Sequence, residues 1–380
     1  HLGPAHSFAT RLRLASHLIW LNEPQEAEAE LAAAVPENAA QRAQLELCRA
    51  SLARRRFDTA AMFRHAESAL KHRPQASEPF RVMAEAALID FAPQACLDFL
   101  AQNLGRVQRS RRELTRPRLS TPGQIANEML IEPELTAGLQ ALVRENNLAA
   151  IGELVSRSRT IGPALAFMIV ARRRGLLERP DSRAAEPKPQ DPHIPPIIHQ
   201  YWEGTMPQDV AAAIEAMQRH NSWAEHRLYS PERALATLAE AGLEQAARAF
   251  RLARRPAERA DILRLALLLQ FGGFYVDVDD ICLSSLACLA EPGLRLLLQQ
   301  EWAGALANNF IAAEAGHPIL ADALEEVVEE TLLGGNESIW LRSGPGLLTR
   351  AAARHIARVG PERFMRDHRI VLNGELSPFV

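Results

Sequence analysis

Lysine is nearly missing. Lys71 and Lys188 are the only two in 380 residues, and arginine carries the rest of the positive charge. With the abundant alanine, that bias points to a GC-rich bacterial genome rather than to arginine chemistry. Cysteine is scarce too: Cys48, Cys96, Cys282 and Cys288 are too few and too scattered for a disulfide framework or a zinc site, and read as thiols in a reducing compartment. No apolar run reaches the roughly eighteen residues of a membrane span. The best, around Ala164–Val170, is short and is followed by Arg172, Arg173 and Arg174. No secretory signal pattern is present, so a bacterial cytoplasmic location is expected. The opening His1-Leu2-Gly3-Pro4 lacks an initiator Met and reads as trimmed, which leaves export as an effector open. A net charge of −3 gives no global pull towards nucleic acid or an anionic membrane.

What is present begins with helices. Alanine-rich amphipathic segments run over about 9–21, 24–34, 39–53, 57–71, 77–89 and 92–102, in pairs. Pro36 and Pro74 each follow the second helix of a pair, which suggests a period near 38. Small residues at helix crossings and a proline closing each repeat resemble the tetratricopeptide array, whose period is about 34. A plain alanine-rich bundle is the alternative. Residues 104–121 are basic but lack interleaved aromatics, so a solvated connector explains them better than a nucleic-acid patch. Helices are expected at about 122–146, 147–158 and 162–177. Six prolines between positions 180 and 196 then mark a linker. The expected organisation is helical repeats over 1–105, a helical extension over 106–178, a linker over 179–196 and a catalytic domain over 197–380.

From Ile197 the pattern changes. Strands are expected at Ile197–Tyr201, Glu225–Tyr229, Phe274–Val276, Leu294–Leu298, Leu306–Ala312 and Ile370–Leu372, with helices between them. Ser230 and Pro231 form a helix start, and Gly272-Gly273 a helix stop. Alternating strands and helices argue for a nucleotide-binding, Rossmann-like α/β domain.

The chemistry is concentrated after the double glycine. The buried strand at 274–276 delivers Asp277, Asp279 and Asp280, and strand alternation would place Asp277 and Asp279 on one face and Asp280 on the other. Carboxylates facing the same way repel unless a cation sits between them, so the trio suits a divalent metal carrying a diphosphate. One turn into the preceding helix, Asp261 and Arg264 share a face and supply an acceptor and a planar cationic fork. An ion pair bracing the sheet is the alternative for these two. His199 and Trp202 end the first strand, where a nucleotide base could stack, although either could be core. Tyr275 stands with the candidate cofactor-binding side chains but is equally explained as packing. Asn308, Asn309 and Ser343 are candidates for contact with donor or acceptor hydroxyls. His317, before Pro318, reads as a helix cap.

Three blocks in this order resemble the sugar-binding region of the DXD glycosyltransferases, the family of yeast initiating mannosyltransferases and bacterial capsular sugar transferases. They are Ile194-Pro195-Pro196-Ile197-Ile198-His199-Gln200-Tyr201-Trp202, then Ala260-Asp261-Ile262-Leu263-Arg264, then Gly272 through Asp279, within a resemblance covering residues 194 to about 350. The resemblance implies a GT-A-type fold and Mn2+ or Mg2+ held chiefly by Asp279, with Asp277 on ribose and donor sugar and Asp280 as a looser third carboxylate. It further implies Asp261 on sugar hydroxyls, Arg264 on phosphate or sugar, a UDP- or GDP-linked sugar as donor, a glycan or protein as acceptor, and anomeric retention. Family members often carry a His and a Trp near the C-terminus; here the tail offers His368 without a late tryptophan.

Two rival readings remain at this stage. A helical-repeat adaptor with a degenerate transferase half would bind without catalysis. A haloacid-dehalogenase-like phosphatase also ends a strand in Asp-x-Asp, but it wants a downstream lysine, and none follows Lys188.

Overall fold

The computed structural model describes residues 7–106, 120–178, 193–301, 303–335 and 338–379. The chain divides into two compact units, His1–Arg174 with Trp302–Gly304, and Gly175–Glu301 with Ala305–Val380. Most of the arginine-rich stretch 104–121 and of the proline-rich stretch 179–196 lies outside the described residues.

The first unit is helical: α1 (Phe8–Trp20), α2 (Pro24–Ala33), α3 (Ala39–Arg55), α4 (Thr59–His72), α5 (Glu78–Ile89), α6 (Pro93–Arg106), α7 (Thr121–Met129), α8 (Pro133–Arg144), α9 (Leu148–Arg157) and α10 (Ile161–Arg173). The single helix expected over 122–146 is two, because the chain turns at Leu130–Glu132 and Pro133 opens a new first turn. Helices α1–α6 pack as consecutive hairpins. Each hairpin turn uses one residue at positive φ: Asn22, Phe57 and Phe91, spaced 35 and 34 residues apart. Each is followed by the same closing bond, from the amides of Glu23, Asp58 and Ala92 to the carbonyls of Leu18, Ala53 and Ala87. The repeat length is therefore read from these turns rather than from Pro36 and Pro74. Buried alanines such as Ala15, Ala27, Ala50, Ala66, Ala69 and Ala84 let the helices approach closely.

The second unit is built on a six-stranded mixed sheet: β1 (Ile197–Tyr201), β2 (Glu225–Tyr229), β3 (Gly273–Val276), β4 (Leu296–Gln300), β5 (Leu306–Ala313) and β6 (His368–Leu372), in the order β2-β1-β3-β5-β4-β6. Only β5 runs against the others. Strand β4 begins two residues later than the sequence suggests, because Leu294 closes a turn onto Glu291. The helices are α11 (Gln208–His220), α12 (Pro231–Glu240), α13 (Glu244–Leu252), α14 (Pro256–Phe271), α15 (Pro318–Leu333), α16 (Ile339–Arg342), α17 (Pro345–Val359), α18 (Pro361–Phe364) and α19 (Asn373–Leu376).

Alternation along the strands sorts the core. Ile198, Phe274, Val276, Leu297, Phe310 and Ala312 face one layer with Met217 of α11 and Leu376 of α19. On the other face Tyr275 meets Arg264 of α14. Helix α14 is buried nearly all round, Asp261 through Leu268 included, and packs against β1, β3 and β5 as well as α13 and α15.

Gly272 and Gly273 turn α14 into β3 at φ +65° and +96°. Gly272 has ψ −162°, a region that is essentially reserved for glycine. A Cβ on Gly272 would lie 2.7 Å from the Ala315 amide, and one on Gly273 would collide with the Ile197 carbonyl of the neighbouring strand. The helix-to-strand reversal therefore needs both glycines, and it fixes where the acids emerge.

Candidate active site at the acidic loop

Strand β3 stops at Val276, so the acids do not alternate on a strand as the sequence suggests. Asp277–Asp280 form a turn in which the Asp280 amide donates to the Asp277 carbonyl at 3.2 Å. The turn is anchored by the Asp277 amide on the Asn309 carbonyl at 2.9 Å, and by Val278, which is buried with Val210 and Ile214 of α11 and Trp202.

Helix α14 presents a stripe of buried charge to this turn: Glu258, Asp261 and Arg264, three residues apart. Arg264 Nη2 lies 3.3 Å from Asp261 Oδ1 and 3.2 Å from Asp277 Oδ1. Its Nη1 donates to the Asn308 carbonyl, and its guanidinium lies over the Tyr275 ring, 4.6 Å from the centroid. Asp261 Oδ1 accepts from Asn308 Nδ2 at 2.8 Å, and Oδ2 from Ser343 Oγ at 2.7 Å. Asn309 donates to Asp280 Oδ2 at 2.9 Å. Asn308 and Asn309 are neighbours on β5, so strand alternation sends one amide to the helix and the other to the acidic turn.

The protonation energetics follow from this geometry. Burial pushes the Asp277 carboxyl up to about 6; Arg264 opposes that shift, while Asp280, Asp261 and Asp279 add to it. Burial raises Asp261 and Asp280 as well, against Arg264 and the hydrogen bonds to Ser343, Asn308 and Asn309. Burial works against the Arg264 charge, but Asp277, Tyr275 and Asp261 outweigh it and hold the guanidinium protonated. Asp279 differs from its neighbours: it is exposed, and among the described residues no hydrogen bond or ion pair engages its carboxylate.

The structure thus brings together Asp261, Arg264, Tyr275, Asp277, Asp280, Asn308, Asn309 and Ser343. Tyr275 (1% exposed) and Ser343 (3% exposed) are inside the protein, where they support the cluster rather than face solvent. His199 does not join it. It is fully buried, its two ring nitrogens meet the Tyr229 hydroxyl at 3.2 Å and the Gly272 carbonyl at 3.0 Å, and its ring lies between Tyr229 and Phe271. Burial pushes its pKa down to about 4. No edge or face of it is left for a base, so the expectation of stacking at His199 is corrected. Trp202 is half-buried beside Val278, and its indole N–H finds no acceptor among the described residues. His317 caps α15, accepting from the Ile319 amide, and its other nitrogen meets His368 at 2.9 Å. His368 is therefore committed to His317, to the Phe364 carbonyl and to Asp367, 2.6 Å from its Nδ1, and not to the acidic turn.

Two residues of the network were not anticipated. Glu258 accepts the amides of Arg254 and Arg255 and pairs with Arg342, so it ties the start of α14 to α16, next to Ser343. Its place three residues before Asp261, on the same face, was the available signal.

Whether the cluster suits a divalent cation is a question of donor chemistry. Among the described residues no three His, Cys, Asp or Glu side chains form a ready metal cage. A Mg2+- or Mn2+-type ion needs only one or two carboxylates when substrate phosphates and water complete its shell. An exposed Asp279 beside Asp277 and Asp280 meets that requirement.

Comparison with known proteins agrees with this region of the chain. Residues 207–301 match the model of the glycosyltransferase sugar-binding region containing DXD motif. Toxin Afp18 of Yersinia ruckeri is 32% identical over 133 residues, 33% of this chain and 6% of the toxin. Lactosylceramide 4-alpha-galactosyltransferase of Mus musculus is 38% identical over 91 residues, 24% of this chain and 23% of that enzyme. The chain thus spans under a quarter of the length of either relative. Among solved structures, PaToxG Glycosyltransferase superposes at a TM-score of 0.40 with 19% identity, covering 53% of this chain and 81% of that one. The likeness is thus to the glycosyltransferase sugar-binding region containing DXD motif, and the matched model runs over residues 207–301.

Proposed function

We propose that the second unit is a GT-A-type, metal-dependent, retaining glycosyltransferase that moves a hexose or N-acetylhexosamine from a UDP- or GDP-linked donor to a glycan or protein acceptor. The observation that carries this reading is the contrast within the acidic turn, inside the segment that matches the DXD family. Asp277 and Asp280 are anchored by Arg264 and Asn309, while Asp279 stands exposed with no partner among the described residues. Held Mn2+ or Mg2+ would supply Lewis-acid stabilisation of the leaving diphosphate.

The chain's own residues have separate tasks in this reading. Asp279 is the direct ligand, and Asp277 faces ribose and donor sugar, its ionised form favoured by Arg264. Asp280 is fixed as a looser third oxygen donor. Asn309 holds the turn, and the half-buried Trp202, packed with Val278, offers its ring for stacking on the nucleotide base. Asp261 and Arg264 are buried and fully engaged with Asn308, Ser343 and Asp277, which favours their bracing role over direct contact with sugar hydroxyls. The hairpins of the first unit, spaced near the 34 residues of tetratricopeptide repeats, suit an acceptor guide.

The test is release of free nucleotide from a panel of UDP- and GDP-sugars by the purified chain with Mn2+. Release that requires both the metal and Asp279 supports the reading. A chain that binds no nucleotide sugar in calorimetric titration with manganese would overturn it.

A further inference from the structure

The parallel pair β1 and β3 opens two loops at the same edge of the sheet, 202–207 after β1 and 277–285 after β3. The loops are packed together through Trp202 and Val278. They carry three of the second unit's large apolar side chains that stand in solvent: Met206 (36% exposed), Ile281 (63%) and Leu283 (57%). The backbone beneath is fixed. The Leu283 amide donates to the Phe379 carbonyl at 2.7 Å, and the Leu286 amide to Asn221 Oδ1 at 2.7 Å. These are apolar tips on a rigid base.

Beside them is an unbalanced cationic elbow. Arg259, in the first turn of α14, pairs with Glu203 of the β1 loop at 2.5 Å, which places the junction of α13 and α14 at the same rim. Arg251, Arg254 and Arg255 are exposed there, and among the described residues none of them meets a carboxylate. Most arginines elsewhere in this unit do, including Arg227, Arg264, Arg295, Arg342 and Arg350. From Gln245 to Ala257 no acidic residue offsets them, and Leu252 stands 52% exposed in their midst. Glu258 accepts the backbone amides of Arg254 and Arg255, so the elbow is held while, among the described residues, its guanidinium groups meet no carboxylate.

We propose that this rim is a docking surface for an anionic phospholipid membrane. Separated apolar tips flanked by unpaired arginines match the headgroup boundary, where short apolar side chains enter and cations meet lipid phosphates. A protein partner would instead call for a contiguous apolar patch around a central pocket. The near-neutral net charge of the chain does not oppose this, because headgroup attraction acts within about 10 Å of the surface. A consequence that rests on the transferase reading is that the acidic turn would face acceptors borne on the membrane.

The test is sedimentation of the full chain with vesicles at low salt, without donor or metal, so that its failure leaves the transferase reading intact. The chain should pellet with vesicles of equal parts phosphatidylcholine and phosphatidylglycerol and stay in solution with phosphatidylcholine alone. Raised salt should release it. With about fivefold per arginine, the triple variant Arg251→Gln, Arg254→Gln, Arg255→Gln should partition roughly 100-fold more weakly. The pair Ile281→Ser, Leu283→Ser should weaken partition while leaving the melting temperature unchanged. A chain that ignores anionic vesicles, or a triple variant that pellets undiminished, would overturn the proposal. So would capture by polyglutamate beads through the same arginines with no vesicle binding, which would assign the surface to acidic proteins.

Discussion

Arg264 stands between two carboxylates, 3.3 Å from Asp261 on its own helix and 3.2 Å from Asp277 on the acidic turn. Arg264 and Asp261 are both buried, so the guanidinium is the positive charge that lets Asp261 ionise inside the protein and holds the partly exposed Asp277 in place. Removing it strands Asp261, which is 5% exposed. Arg264→Ala should destabilise the chain by about 3–5 kcal/mol, the usual cost of breaking a buried pair from one side. Arg264→Lys should recover only part of this, because an ammonium cannot span Asp277 and the Asn308 carbonyl as a planar fork does. Urea unfolding of the three proteins measures both differences.

Asp279 and Asp277 should separate in the opposite sense. Asp279 is exposed and meets no partner among the described residues, so Asp279→Asn should shift stability by less than about 0.5 kcal/mol. It should nonetheless abolish manganese-dependent nucleotide release. Asp277→Asn removes a partner of Arg264 and should lower stability and release together. Paired melting curves and release assays on the two variants check this; a release rate unchanged in Asp279→Asn would remove it from the metal site.

Local physics explains what the sequence disclosed. A glycine pair closing an apolar helix, a Ser-Pro helix start at Ser230-Pro231 and the three-residue spacing of Asp261 and Arg264 are short-range signals, and each appears in the fold. Long-range pairings left no such trace. Ser343 reaches Asp261 across 82 positions and Asn308 across 47, and nothing near any of the three residues marks the other two. The reversed direction of β5, which delivers Asn308 and Asn309 to their acids, is likewise a property of the whole sheet. His199 misled for a different reason. A histidine at a strand end looks the same whether it meets a ligand or a tyrosine, and only the fold puts Tyr229 and Phe271 around it.

The Gly273 position offers a test of the helix-to-strand reversal. Alanine there would combine a φ of +96° with a Cβ driven into the Ile197 carbonyl, and β1 and β3 would have to part. Gly273→Ala should cost on the order of 3 kcal/mol from strain and overpacking. Gly316→Ala is the control, since it also has a positive φ (+74°) but nothing near its Cβ. Its smaller loss in urea unfolding would isolate the backbone strain from the collision.

Acid should destabilise the chain through the histidine pair. His317 accepts from the Ile319 amide at Nδ1, so its proton sits on Nε2 and is donated to His368 Nε2, while the His368 Nδ1 proton is shared between the Phe364 carbonyl at 2.8 Å and Asp367 Oδ1 at 2.6 Å. Both rings are therefore neutral in the folded chain. Burial, with His368, His355 and Arg295 nearby, pushes His317 down to about 3; burial also lowers His368, although Asp367 works against it. The unfolded rings titrate near 6.5, so below that pH the unfolded chain binds protons that the folded chain refuses, and stability falls as pH falls. The contribution is complete above 6.5 and is lost from there down towards 3, at roughly 1.4 kcal/mol per pH unit for His317. Replacing His317 with Asn keeps a capping acceptor but removes the titrating ring. The loss of stability between pH 7.5 and 5.5 should accordingly be smaller in His317→Asn than in the parent chain by roughly 1–2 kcal/mol. Equal losses in the two proteins would show that the pair does not set the acid limit.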